Sequence, residues 1–341
     1  MNKDKNRLVN AEVHYSSDFN KNQLKNIRVW KRPNLAQNIS TIFKFFFLKN
    51  NRKPVHLLPK QNVNLEHFTA TGSNQLNVTW LGHSSLMTNI DGYKILTDPV
   101  FENRISLLGP TRYNGSVPIK ISELPNLDLV LITHNHYDHL NKFSIKALNK
   151  KVKLFVVPVT IGKILTSWGI SSKKIIELNW WQEFKIDDNL LIVFTPTQHF
   201  SGRGLFDNNK TLWGSYVVKS RNHKIFFSGD SGYFNGFKQI GDKYGPFDMT
   251  FIECGAYNEL WHTVHMFPEE TMQAHIDLKG RILHPIHWGT FNLSLHSWFE
   301  PMERISKAAE KNGVTLALPI VGETSVYPQN IPNEKWWKKF I

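Results

Sequence analysis

The sequence predicts an α/β fold of stacked layers whose sheet edge gathers polar side chains. Three observations carry this. Short apolar runs of β type alternate with helix-length amphipathic patterns from residue 76 to residue 320. Four of the runs stop directly before histidine or aspartate: 127–132 before His134, His136, Asp138 and His139; 190–195 before His199; 224–228 before Asp230; and 282–286 before His287. This arrangement occurs in both halves of the chain, which predicts two similar layers facing each other.

Taken in order, residues 1–38 are polar and weakly patterned, so extended chain with short helical pieces is expected. Residues 39–49 read as a helix with more apolar positions than one stripe needs, and Pro54 and Pro59 break the pattern. Residues 78–81 read as a strand, Gly82-His83-Ser84-Ser85 as a turn, and 86–90 as a second strand. Asp91-Gly92 is a hairpin signal leading to a strand at 93–97, which Asp98-Pro99 ends. A Gly-, Pro- and Arg-rich loop fills 101–126, and the apolar run 127–132, interrupted by Asp128, then delivers the histidine cluster to a loop at its tip. Helices are expected at 142–150 and 161–168, and strands at 154–158, 175–178 and 190–195. Residues 213–220 and 224–228 read as a strand pair around Arg221-Asn222, and 249–253 as a further strand. A helix at 268–277 opens on Glu269-Glu270, acidic residues at the positive end of its dipole. A strand at 282–286, a helix at 301–312 stopped by Gly313, and a last strand at 315–320 complete the reading. There is no short-period repeat of the solenoid kind.

Composition narrows the class. The 41% apolar content supports a substantial core, and 341 residues suffice for one large or two ordinary domains. We divide the chain into a basic, partly apolar extension at 1–60 and a body at 61–341. A single cysteine, Cys254, excludes a disulfide framework and a cysteine-type zinc module, and it reads as a small core residue. The first 20 residues lack the apolar core of a signal peptide, and the longest greasy stretch, 39–48, is too short to span a bilayer. The expected location is cytoplasmic, with peripheral attachment to the inner face of the membrane left open. The net charge of +13 is uneven: residues 1–60 hold 13 Lys/Arg against 3 Asp/Glu, whereas the remainder holds 28 against 25. A basic arm beside a Phe-rich stretch suits an anionic membrane surface, nucleic acid, or a solvated tail that packs one helix on the body. A near-neutral body speaks against nucleic acid, because a cleft for it is itself basic.

The chemistry follows from the residue types. Imidazole and carboxylate suit zinc, and manganese or iron as well. His134 and His136 alternate with Asn135 and point the same way in extended backbone, while Asp138 and His139 reach a second point from the turn. A carboxylate such as Asp230 can hold two cations about 3.5–4 Å apart, where they share a water and lower its pKa towards neutrality. Among the other polar residues, His83 touches substrate or orients its turn, and His262 and His265 in an aromatic loop bind phosphate or pack. Arg112 and Arg203 are candidates for a phosphate, and Tyr233 and Trp288 for the site wall.

Asp98, the run 134–139, His199, Asp230 and His287 together resemble the metallo-β-lactamase-fold hydrolases over roughly residues 76–325. The resemblance implies a four-layer αββα sandwich, with His134, His136 and His199 on one metal, Asp138, His139 and His287 on the other, Asp230 bridging, and Asp98 in support behind the metal loop. Within that group the words Trp80-Leu-Gly-His83-Ser-Ser, Leu96-Thr-Asp98-Pro99, Gly109-Pro110-Thr-Arg112, Thr195-Pro-Thr-Gln-His199, Gly229-Asp230-Ser-Gly232-Tyr233 and Ile286-His287-Trp288-Gly289-Thr290 are similar to the N-acylphosphatidylethanolamine-hydrolysing phospholipase D group. Glu253-Cys-Gly-Ala-Tyr257 and His265-Met-Phe-Pro268 also resemble its words, though the residue after His265 departs from the usual pattern. This implies a phosphodiesterase with two Zn(2+) and a metal-bridging hydroxide. Catalytic work falls on Asp138, Asp230 and His265, and substrate contacts on His83, Arg112, Tyr233 and His262. The substrate would be a phospholipid or another phosphate ester. A lactonase or sugar-phosphate hydrolase of the same superfamily is the alternative, favoured by a narrow polar pocket; a broad apolar groove favours the lipid.

Overall fold

The computed structural model describes residues 8–9, 24–27, 30, 33–47, 50–72, 74–107, 109–204 and 206–341. Its first elements in chain order are β1 (Leu8–Val9), α1 (Leu35–Phe47), α2 (Leu65–Thr69), β2 (Leu76–Trp80), β3 (Leu86–Ile90), β4 (Tyr93–Thr97) and β5 (Leu127–Leu131). Then come α3 (Lys142–Leu148), β6 (Val152–Pro158), α4 (Ile161–Ser167), β7 (Ile175–Leu178), β8 (Glu183–Asp187), β9 (Leu190–Thr195), β10 (Ser215–Lys219) and β11 (Lys224–Phe227). The last are α5 (Gly236–Tyr244), β12 (Phe247–Glu253), α6 (Pro268–Asp277), β13 (Gly280–Ile286), α7 (Glu300–Asn312), β14 (Thr315–Leu316) and β15 (Thr324–Tyr327).

The strands form two mixed sheets, in the orders β15-β2-β3-β4-β5-β6-β7 and β1-β8-β9-β10-β11-β12-β13-β14. Each contains an antiparallel meander, β2-β3-β4 in one and β8-β9-β10-β11 in the other, and continues parallel, with helical crossovers from β5 and from β11 onward. The two-residue period sorts the side chains. On β5, Leu129 and Leu131 face the other sheet and join Trp80, Ile192, Phe194, Phe227 and Phe251 in the inner core. Val130 and Ile132 turn outward, onto Ile145 and Leu148 of the α3 region. Helices α5, α6 and α7 cover the outer face of the second sheet through Ile240, Met272 and Ile305. The result is helix, sheet, sheet, helix, the sandwich expected.

Two polar ties fix how the sheets sit. The Tyr216 hydroxyl of β10 crosses the core to the carbonyls of Ile132 and Val156, at 2.8 and 3.0 Å, under the metal loop. At the far end the two turns meet. The Asp91 carboxylate accepts from the Ser220 hydroxyl, the Asn222 amide and the His223 imidazole, so the β3–β4 and β10–β11 hairpins are joined by a single side chain. These contacts hold the sheets in register at both ends of the strands.

The sequence reading departs from the structure where the local signal was weak. The last strand is only Thr315–Leu316; the chain then crosses over, and β15 pairs with β2 in the other sheet. β8 carries Glu, Lys and Asp among its five residues, and α5 has Gly236 and Gly241 inside it. The N-terminal helix starts at Leu35 rather than 39. Asn34 and Gln37 cap it reciprocally, with side chain to backbone distances of 2.9 and 2.8 Å. Most of the extended chain expected over 1–38 lies outside the described residues. Residues 50–60 are bound to the body through Trp298 N to Asn51 O, Tyr113 Oη to Arg52 O and Leu58 N to Tyr113 O. Among the described residues no helix is long and apolar enough to cross a membrane.

Candidate metal centre and cleft

Every loop that carries a candidate ligand leaves the same edge of the sandwich. The run 134–139 follows β5, His199 follows β9, Asp230 follows β11 and His287 follows β13. This is the carboxyl end of the parallel strands, where open α/β sheets assemble sites. The backbone is strained as it turns there: Asp98, His83 and His287 take φ of 36°, 55° and 65°, left-handed values unusual outside glycine. Such strain persists only where the surroundings over-determine it. His83 is held from both sides, its amide donating to Thr290 Oγ1 at 2.7 Å and its carbonyl accepting from Trp80 Nε1 at 2.9 Å.

All seven expected ligands come together, in two groups. In the first, His136 Nδ1 lies 2.8 Å from His134 Nε2 and 3.2 Å from His199 Nε2, with Asp230 Oδ2 3.8 and 3.7 Å from those two. In the second, Asp138 Oδ2 lies 3.5 Å from His287 Nε2 and 3.6 Å from His139 Nε2. Asp230 joins this group too, at 3.2 Å from each imidazole. The four ligand atoms of the first group lie within 4.8 Å of one another, as do those of Asp138, His139 and His287 together with His83. Asp230 is therefore placed between the two groups.

The hydrogen-bond network behind the ligands assigns their tautomers. Thr133 Oγ1 gives its proton to Asp98 Oδ2 at 2.6 Å, so His134 Nδ1 must donate to that hydroxyl and its Nε2 carries a lone pair. His199 Nδ1 donates to the Val264 carbonyl at 3.0 Å, and His139 Nδ1 to Asp98 Oδ2 at 2.8 Å. In their neutral forms these three imidazoles thus turn an Nε2 lone pair inward, the orientation that ligating histidines take. Burial holds His134 and His199 well below the usual imidazole range, and pushes His136 down to about 4. Burial also disfavours charge on His139 and His287. The Asp230 and Asp138 carboxylates overcome it, holding His139 above the usual range and His287 up to about 10. His139 Nε2, His287 Nε2 and Asp230 Oδ1 are buried without a hydrogen-bond partner. Neutral inward donors, buried carboxylates that demand positive charge, and orphaned ligand atoms together fit divalent cations.

A carboxylate–histidine dyad adjoins the two groups. The carboxylate of Glu253, fully buried at the end of β12, accepts from His265 Nδ1 at 2.7 Å and from the amides of Met266 and Ser231 at 3.0 and 3.2 Å. His265 thereby presents Nε2 to the cleft. That cleft, about 460 Å³, has His136, Asp138, Asp230 and His287 on its floor. Its walls are mainly apolar, with Trp30, Phe200, Trp261, Val264 and Leu293 among them. Trp30 comes from the N-terminal segment and stacks on Phe200 at 4.7 Å between ring centroids.

Three expected substrate contacts lie elsewhere, and a fourth is displaced. Arg112 is buried, and its guanidinium donates to the carbonyls of Leu81, Val100 and Glu102, so its donors tie together the loops that follow β2 and β4. Tyr233 donates to Asp277 Oδ2 at 2.6 Å and packs on Phe237. His262 is exposed, with Nδ1 on the Glu259 carbonyl. His83 is in the site but beneath it, its Nε2 2.9 Å from Asp138 Oδ2. Arg203 stacks on Tyr137 and donates to the carbonyls of Asn135 and Leu140, strapping the metal loop from outside. Sequence reasoning did not single out Glu253, which the structure places beside the site. The signal was present, since it is one more acidic residue ending an apolar strand.

A family described as Beta-lactamase superfamily domain matches residues 93–288. An uncharacterized protein of Mycobacterium tuberculosis is 41% identical over 293 residues, covering 84% of this chain and 77% of that protein. The N-acyl-phosphatidylethanolamine-hydrolyzing phospholipase D 1 of Caenorhabditis elegans is 35% identical over 266 residues, 73% of this chain and 74% of that one. Among solved structures, the metallo hydrolase Igni18 from Ignicoccus hospitalis aligns with a TM-score of 0.59 at 23% identity, over 74% of this chain and 99% of that one.

Proposed function

The chain belongs to the metallo-β-lactamase-fold hydrolases and is metal-dependent, and we propose that it is a di-zinc phosphodiesterase that cleaves the head-group ester of a phospholipid. The observation that carries this reading is the cleft: a floor of metal ligands under walls made largely of Trp30, Phe200, Trp261, Val264 and Leu293. A small polar substrate would need polar walls to orient it, whereas acyl chains need apolar ones. The relationship to the Caenorhabditis elegans phospholipase supports the same substrate class.

Two cations, one held in each ligand group, would lower the pKa of a shared water and take up charge growing on the phosphoryl oxygens. The protein does the rest. Asp98 and Thr133 hold His139 and His134 in the tautomers that point Nε2 inward. Asp230 sets the separation of the two groups, and His83 fixes the Asp138 carboxylate. Glu253 orients His265, whose Nε2 faces the space above the floor and is placed to carry a proton to the leaving alkoxide. The apolar walls exclude water, so these dipoles act in a low dielectric.

The test is hydrolysis of N-acylphosphatidylethanolamine by zinc-replete protein, with phosphatidic acid and the N-acylethanolamine measured together. Their equimolar release is expected. Turnover of soluble lactones or sugar phosphates, with none of the lipid, would overturn the assignment.

A further inference from the structure

Among the described residues, six of the large apolar side chains that the fold leaves exposed lie on three segments that run close to the cleft lining. On α1, Leu35, Ile39, Phe43 and Phe47 are exposed and recur every fourth position, so they form a single row. The helix is anchored beside the cleft: Pro33 and Asn38 line it, and Arg52 sits 4.5 Å over the Phe45 ring. Two loops from the cleft walls carry the other members. Phe206, 86% exposed, lies on the loop that begins at the wall residue Phe200. Leu107, 91% exposed, is at the tip of the loop whose Ile105 packs on Phe291 beside the wall residue Leu293. Isolated exposed apolar side chains are ordinary; a row of four on one helix beside the cleft, with two more on loops connected to its lining, is not.

We propose that this rim seats the enzyme on an anionic lipid surface, with the mouth of the cleft against the headgroups. The inference rests on the phospholipid reading above and adds the surface by which the substrate is reached. Charge selects the occupant. Residues 33–60 contain five Lys/Arg and no Asp/Glu. A second copy docking through the same face by a twofold axis would bring these two sets of cations together, which is repulsive. An anionic bilayer offers apolar depth for the row and negative charge for the lysines and arginines beside it. At 13 residues α1 is about 20 Å long and lies along the interface rather than crossing it.

The experiment uses the full chain and the variant Leu35→Gln, Ile39→Gln, Phe43→Gln, Phe47→Gln. None of these four side chains lines the cleft, and all are exposed, so the fold and the site are left intact. Binding is read by co-sedimentation with vesicles of phosphatidylcholine alone and of phosphatidylcholine with phosphatidylglycerol. The parent is expected to bind the anionic vesicles, more weakly at high salt, and the variant to bind at least about 100-fold more weakly. Hydrolysis of bis(p-nitrophenyl) phosphate, a soluble diester, stays at the parent rate. Equal vesicle binding by parent and variant overturns the proposal, as does a parent that ignores vesicles. A concentration-dependent dimer in sedimentation velocity, lost in the variant, assigns the row to a second copy and also overturns it. Binding without lipid turnover leaves the surface standing and discards the substrate assignment instead.

Discussion

Replacing Glu253 by glutamine keeps the shape of a buried side chain and removes its charge. The carboxylate accepts three hydrogen bonds, from His265 Nδ1 at 2.7 Å and from the amides of Met266 and Ser231. The glutamine oxygen can still serve the two amides, which turns its NH2 group towards His265. Nδ1 must then accept rather than donate, and the proton moves to Nε2, on the cleft side. A lost charge-assisted bond of about 1.5–3 kcal/mol corresponds to roughly 10- to 150-fold in rate. An inverted tautomer behind a catalytic histidine raises this to about 10⁴. We expect Glu253→Gln to lower kcat by about 10²–10⁴ while KM stays within about threefold. Burial already raises the Glu253 carboxyl pKa, so the neutral amide is tolerated and the urea midpoint barely moves. Steady-state kinetics on N-acylphosphatidylethanolamine, whose leaving group is an alkoxide that needs the proton, with His265→Ala and the double variant, complete the cycle. The double variant should be no slower than the slower single, because the two residues act as a unit. A Glu253→Gln enzyme at the parent rate, or losses that multiply, would refute the dyad.

Other outcomes follow from neighbouring residues. Arg112→Met leaves three carbonyls, two of them in buried contacts, without that donor and should cost about 3–5 kcal/mol in urea unfolding, with KM unchanged; a raised KM at parental stability would return Arg112 to the substrate. His83→Ala frees Asp138 and should weaken cation binding at the second group about 10- to 100-fold while sparing the first, as read by chelator competition. His284 lies between Trp80 and Phe251 with both ring nitrogens unpartnered, and burial pushes it down to about 3. Its folded pKa is below its unfolded one, so its contribution is fully present above about pH 6.5 and falls as the pH drops towards 3. Between pH 7 and 5 this amounts to about 2 kcal/mol, and His284→Leu should flatten that part of the stability profile.

The layered class and the ligand set were legible because both depend on local patterns: an apolar run, then a polar residue at its tip. His134, His136, His199, Asp230 and His287 follow runs that coincide with β5, β9, β11 and β13. What the sequence did not disclose depends on distant pairing. β15 has four residues and joins a sheet whose other strands end by residue 178, so nothing within its own segment marks its partner. Arg112 looked like a phosphate ligand because a guanidinium in a loop is indistinguishable from one whose donors are spent on three carbonyls. Tyr233 and His262 failed for a related reason. Neighbourhood in sequence to Asp230 or His265 does not fix the side-chain direction, and theirs lead to Asp277 and Glu259. Glu253 carried the strand-end signal but no histidine beside it, and its partner His265 is 12 residues further on.

The central claim is a pair of cations caged by seven side chains from four strand ends. Metal content by mass spectrometry, paired with anomalous diffraction from zinc-loaded crystals, tests it most directly. The account predicts two ions per chain, one bounded by His134, His136 and His199, the other by Asp138, His139 and His287, with Asp230 touching both. Folded protein that takes up no cation, or holds its cations away from these residues, would contradict it.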